Sequence, residues 1–107
     1  MTKPYRNSLL SPTTGAIDWE IETYDESTIR RLILNWDTAP TVDEYVTITL
    51  VSSEGASYNS VLFVVSPKHA NTVKIDEIGS FLYGDVIKIE YANTEGNTIT
   101  GIATYSL

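Results

Sequence analysis

The chain is predicted to be all-β, an antiparallel β-sandwich of about seven to eight strands, jelly-roll-like or Ig-like, preceded by an extended N-terminal arm. Three observations predict it. Apolar and polar residues alternate with period two in several short segments. Turn-forming Gly, Pro, Asn and Asp punctuate those segments at regular intervals, and no stretch carries a helical period. At 107 residues with 42% hydrophobic content, the chain has enough apolar material for one core. A closed barrel satisfies the same pattern.

Residues 1–16, with Pro4, Pro12 and Gly15, hold no sustained period and are expected as the arm; residues 17–107 form the sandwich domain. Ile17, Trp19 and Ile21 alternate with Asp18, Glu20 and Glu22, the signature of a half-buried strand. Asp25 to Thr28 interrupts it, and Ile29 to Trp36 resumes. As a hairpin, this pair sets Glu22 opposite Arg31 and Ile21 opposite Leu32, with Leu34 and Trp36 on the same inner side. Pro40 ends that segment because it cannot donate to a ladder. Tyr45 to Ser52 is the next strand. Ser53-Glu54-Gly55 reads as a tight loop, and Ala56 to Ser66 returns until Pro67. Asn71 to Ile78 is a short strand or bent connection, and Phe81 to Tyr83 an edge turn. Asp85 to Ala92 and Asn97 to Tyr105 close the chain as a hairpin around Thr94-Glu95-Gly96, with Ile87 facing Ala103.

Seven Lys and Arg against fourteen Asp and Glu give a net charge of −7. Nucleic acid and anionic membranes reward clustered positive charge, so neither is expected as a partner. No apolar run has the length of a secretory signal core or a membrane span. The absence of cysteine removes disulfides, thiolate metal sites and Cys nucleophiles.

Catalytic and metal-binding residue types are sparse. The row Asp18, Glu20, Glu22 lies on one strand face about 7 Å apart, whereas calcium wants a turning loop that converges six to eight oxygens. Asp76, Glu77 and Asp85 lie near Gly79 and Gly84, a weaker metal candidate than a solvated surface. His69 stands alone in a polar turn. No nucleophile elbow, zinc-helix motif or phosphate loop occurs. The expectation is a non-enzymatic protein without cofactor or metal.

One segment departs from one-sided alternation. Val61-Leu62-Phe63-Val64-Val65 is apolar on both faces, so Val61, Phe63 and Val65 are expected to project outward beside Tyr45 and to need a cover. The arm carries Pro4, Tyr5, Arg6, Leu9 and Leu10, anchors on a tether that could order on a neighbour. These nine residues are the expected interaction surface, and the chain is expected to form a homo-oligomer. An alternative is a carbohydrate-binding or adhesion module in which exposed aromatics stack on sugar rings. Trp19 and Trp36 are expected inside.

The stretch from Leu34-Asn-Trp-Asp-Thr-Ala-Pro-Thr-Val-Asp-Glu-Tyr through Glu54-Gly-Ala-Ser-Tyr-Asn-Ser-Val-Leu resembles small virion-associated proteins of tailed bacteriophages. So does Gly84-Asp-Val-Ile-Lys-Ile-Glu-Tyr-Ala-Asn-Thr-Glu-Gly-Asn-Thr. The resemblance covers roughly residues 30–105. It implies a small structural protein that decorates a capsid or attaches elsewhere on the particle. Its partner would be a capsid or other virion protein, and its place the virion, assembled in the host cytoplasm. No functional residue transfers by motif.

Overall fold

The computed structural model describes residues 5–22 and 27–106. Eight strands run in order: β1 (Tyr5–Thr13), β2 (Ile17–Glu22), β3 (Ser27–Trp36), β4 (Val46–Val51), β5 (Ser60–Val65), β6 (Thr72–Phe81), β7 (Val86–Tyr91) and β8 (Ile99–Ser106). They form two antiparallel sheets, β1-β8-β3-β6 and β2-β7-β4-β5. Every connection except β4–β5 passes from one sheet to the other, the jelly-roll arrangement of an eight-stranded sandwich.

The inner faces follow the period-two reading. Ile17, Trp19 and Ile21 from β2, Leu32, Leu34 and Trp36 from β3, and Ile87, Ile89 and Tyr91 from β7 are all buried in one core. Their alternation with exposed Asp18, Glu20 and Glu22 shows why β2 covers the core with one face only. Gly101 on β8 marks the tightest crossing. A Cβ there would lie 2.9 Å from both Leu34 Cδ2 and Trp19 Cζ3, so the indole occupies the space a side chain would take.

Three expectations are corrected. Residues 5–13 are not a free arm: β1 pairs with β8 from Tyr5↔Ser106 to Leu10↔Gly101, forming an edge of the first sheet. Leu10 packs against the core, and Trp19 Nε1 donates to Ser8 Oγ at 3.2 Å. Neither expected terminal hairpin exists. β2 pairs with β7 (Ile21↔Ile87), β3 with β6 and β8 (Leu32↔Ile75 and Leu32↔Ala103), and β7 with β2 and β4. Here consecutive strands cross between layers, a choice that leaves the inner and outer faces of β2 and β3 as the alternation set them. The register expected for the first hairpin also sets Tyr24 opposite Ile29, and Tyr24 lies outside the described residues.

The third correction concerns β5. Val65 pairs with Val46 and Phe63 with Ile48, then the register shifts and Val61 pairs with Thr49. Leu62 is thus the extra residue of a β-bulge. Leu62, Phe63 and Val65 pack against the core, and Val61 and Val64 stay exposed. The bulge reduces the outward apolar surface to Val61 and Val64, because two consecutive residues face inward where strict alternation would send one of them out.

Candidate functional site

At one end of the sandwich two loops are fastened together. The chain from Ser52 to Asn59 links β4 to β5 and carries a 3-10 turn at Ala56–Tyr58. Asn59 Oδ1 accepts the Ser52 N–H at 2.9 Å, which closes this loop on itself. The loop from Leu82 to Asp85 links β6 to β7, with Gly84 at φ 85°. Buried Asp85 accepts the Ser53 N–H through Oδ1 at 2.9 Å and the Leu82 N–H through Oδ2 at 3.0 Å, so one carboxylate holds both loops. The Ser53 backbone hydrogen bond is the main influence holding the Asp85 pKa below its ordinary value, against the opposing effect of burial.

The fastened loops present large apolar side chains to solvent: Tyr58 is 67% exposed, Leu82 57% and Tyr83 69%. Small residues (Ser, Gly, Ala and Asn) and one Glu fill the rest of the β4–β5 loop, Ser-Ser-Glu-Gly-Ala-Ser-Tyr-Asn. Aromatic residues among small residues on hydrogen-bonded loops are a composition shared with protein-recognition surfaces. None of these three residues stood in the expected interaction set. The signal was present: large apolar side chains inside turns, where solvated loops usually carry none.

The expected set itself divides. Arg6, Leu9, Tyr45 and Val61 are exposed; Leu10, Phe63 and Val65 are partly buried against the core. Tyr5 is placed by its backbone in β1, and Pro4 lies outside the described residues. The set does not form one surface. Leu9 belongs to the first sheet and Val61 to the second, and Tyr45 precedes β4 at the end opposite Tyr58.

Tyr45 instead lines a shallow groove of about 440 Å³ with Asp18, Thr47, Glu90 and Tyr91 on the second sheet. Lys88 Nζ lies 3.6 Å from Asp18 Oδ1, partly balancing this acidic side. Beneath the groove Tyr91 is buried edge-on to Trp36, ring centroids 5.5 Å apart. Burial first, then the charges of Glu44 and Glu95, raises the Tyr91 hydroxyl pKa. These two glutamates tie the loops of this end: Glu95 accepts the Thr41 N–H and hydroxyl, and Glu44 accepts the Thr94 N–H at 3.1 Å. The hydroxyl and N–H of Thr41 hold Glu95 below its usual pKa.

On the first sheet, a pocket of about 510 Å³ is lined by Arg30, Arg31, Asp76, Glu77 and Thr104. Its origin is a register irregularity between Ile29 and Arg31 that turns consecutive charged residues toward the same side. Arg30 pairs with Glu77 at 3.4 Å and Lys74 with Asp76 at 3.7 Å. Among the described residues no three of His, Asp or Glu gather as a metal site, and no helix is long and apolar enough to cross a membrane.

No family model and no curated protein matches the chain. Among solved structures it is similar to the Drosophila NLP-core, described for pentamer formation and histone binding. The TM-score is 0.50 at 14% identity, covering 96% of this chain and 97% of that one. The likeness extends over the whole sandwich and concerns the fold alone.

Proposed function

We propose that this chain is a non-enzymatic structural protein of a phage particle, a capsid decoration or other particle-attached protein that docks through its fastened loop end. The particle assignment comes from the sequence resemblance over residues 30–105. The docking surface is supported by one observation above others: buried Asp85 joins two loops that hold Tyr58, Leu82 and Tyr83 in solvent. Aromatic residues on pre-ordered loops lose little conformational entropy on contact, so they make efficient anchors. The partner is a capsid or other virion protein, and the chain resides on the virion after assembly in the host cytoplasm.

The test is sedimentation of purified particles with the Tyr58→Ala, Tyr83→Ala double variant. Loss of at least about tenfold in affinity is expected, the effect of about 1.4 kcal/mol, with the circular dichroism of the free protein unchanged. Full occupancy by the variant would overturn the docking surface. A second reading, a glycan-binding module, rests on Tyr45 beside Asp18 and Glu90, where a ring could stack and carboxylates accept sugar hydroxyls. Glycan binding that disappears in Tyr45→Ala would favour it.

A further inference from the structure

The two sheets have four edge strands, and three of them carry features that discourage pairing with another chain. β2 places Asp18, Glu20 and Glu22 on its outer face; β6 carries Lys74, Asp76 and Glu77 and an irregular register; β1 carries Arg6 and Pro12. β5, Ser-Val-Leu-Phe-Val-Val, has neither charge nor proline. It pairs with β4 on one side only, leaving its other side at the edge of the sheet. In a chain of net charge −7, this is the edge along which two copies can meet without setting like charges opposite one another.

The bulge that deepens the core also makes β5 symmetric. Val61 and Val64 face outward, 61% and 58% exposed, while Leu62 and Phe63 between them both pack inward. In a regular strand residues three apart lie on opposite faces. Here the extra residue restores them to the same face, so the pattern reads alike in both directions about the Leu62–Phe63 bond. We propose that β5 pairs antiparallel with β5 of a second copy about a two-fold axis at that bond, uniting two four-stranded sheets into one of eight. Val61 of each copy then lies beside Val64 of the other on the outer face. Leu62 meets Phe63 on the inner face, which extends the two cores toward one another. The interface is isologous and closes at two copies. It uses no residue of the loop end, so it stands apart from particle docking.

The chain's lack of cysteine makes the register directly testable. Facing residues of adjacent antiparallel strands lie about 4.5–5.5 Å apart between Cα atoms, within disulfide reach. Mild oxidation of the full chain carrying Val61→Cys and Val64→Cys is expected to give a covalent dimer, and Val64→Cys alone is not. Light scattering should give the wild type twice its 11.9 kDa chain mass. Val64→Lys should halve that mass with unchanged circular dichroism, and the Tyr58→Ala, Tyr83→Ala variant should keep it. A wild type monomeric up to about 1 mM, a Val64→Lys variant that keeps the dimer, or equal cross-linking by the single Cys variant would overturn the pairing. Particle docking in sedimentation would be untouched by any of these results.

Discussion

Asp85 carries more structural consequence than any other titrating residue described above. Its carboxylate is buried and accepts backbone N–H groups from two loops, charge-assisted bonds worth about 1.5–3 kcal/mol each where one partner is ionised. Asp85→Asn is expected to destabilise the protein by on the order of 2 kcal/mol, checked by urea denaturation, and to speed amide exchange at Ser53 and Leu82. Because its folded pKa is lowered, the group adds stability above its ordinary value of 3.8, and that stability is lost as pH falls through the lowered folded value. Acid titration of the wild type should therefore loosen this end below about pH 4. The Asn variant should lack that step. Sequence alone marked Asp85 only as a weak metal candidate near Gly84. Its role depends on Ser53, which the fold brings to it from a separate loop.

Among elements, β1 and β5 depart furthest from their sequence reading. β1 lacks sustained alternation and holds two prolines' worth of irregularity around it, so local pattern could not distinguish an edge strand from an arm. The structure ties it down through the β8 ladder, Leu10 in the core and the Ser8–Trp19 hydrogen bond. Deleting residues 1–13 should lower stability by on the order of 2–5 kcal/mol, the range for truncating a core leucine, and expose the edge of β8. A deletion variant with unchanged thermal unfolding would show β1 to be dispensable. β5 was legible as an anomaly, apolar on both faces, and Val61 is exposed as its outward facing was expected to make it. The bulge at Leu62 was not legible, since one inserted residue reverses every facing beyond it while the composition stays the same.

For the whole molecule, charge and apolar surface act in opposite directions. The excess of seven negative charges repels a second copy at long range, while the uncharged β5 edge attracts at contact. Raising ionic strength from about 0.01 M to 0.15 M shortens the Debye length from roughly 30 Å to 8 Å. The dimer fraction measured by light scattering should rise over that range. A fall would mean that ion pairs, not apolar strand pairing, hold the copies together. The molecule is a slab of 40 × 37 × 19 Å, consistent with two sheets packed about 10 Å apart with their side chains and loops.

Alternation by itself determined that the chain is all-β, which face of β2 and β3 is buried, and that Trp19 and Trp36 lie inside. Those properties follow from local geometry, because successive side chains of any strand point to opposite faces whatever strand lies beside it. Strand partners beyond the β4–β5 hairpin, the incorporation of β1, the bulge in β5 and the placement of Tyr58, Leu82 and Tyr83 at one end were decided by the tertiary structure. Each depends on segments far apart in the chain closing two layers over one core, and adjacency across such distances leaves no periodic trace in the sequence.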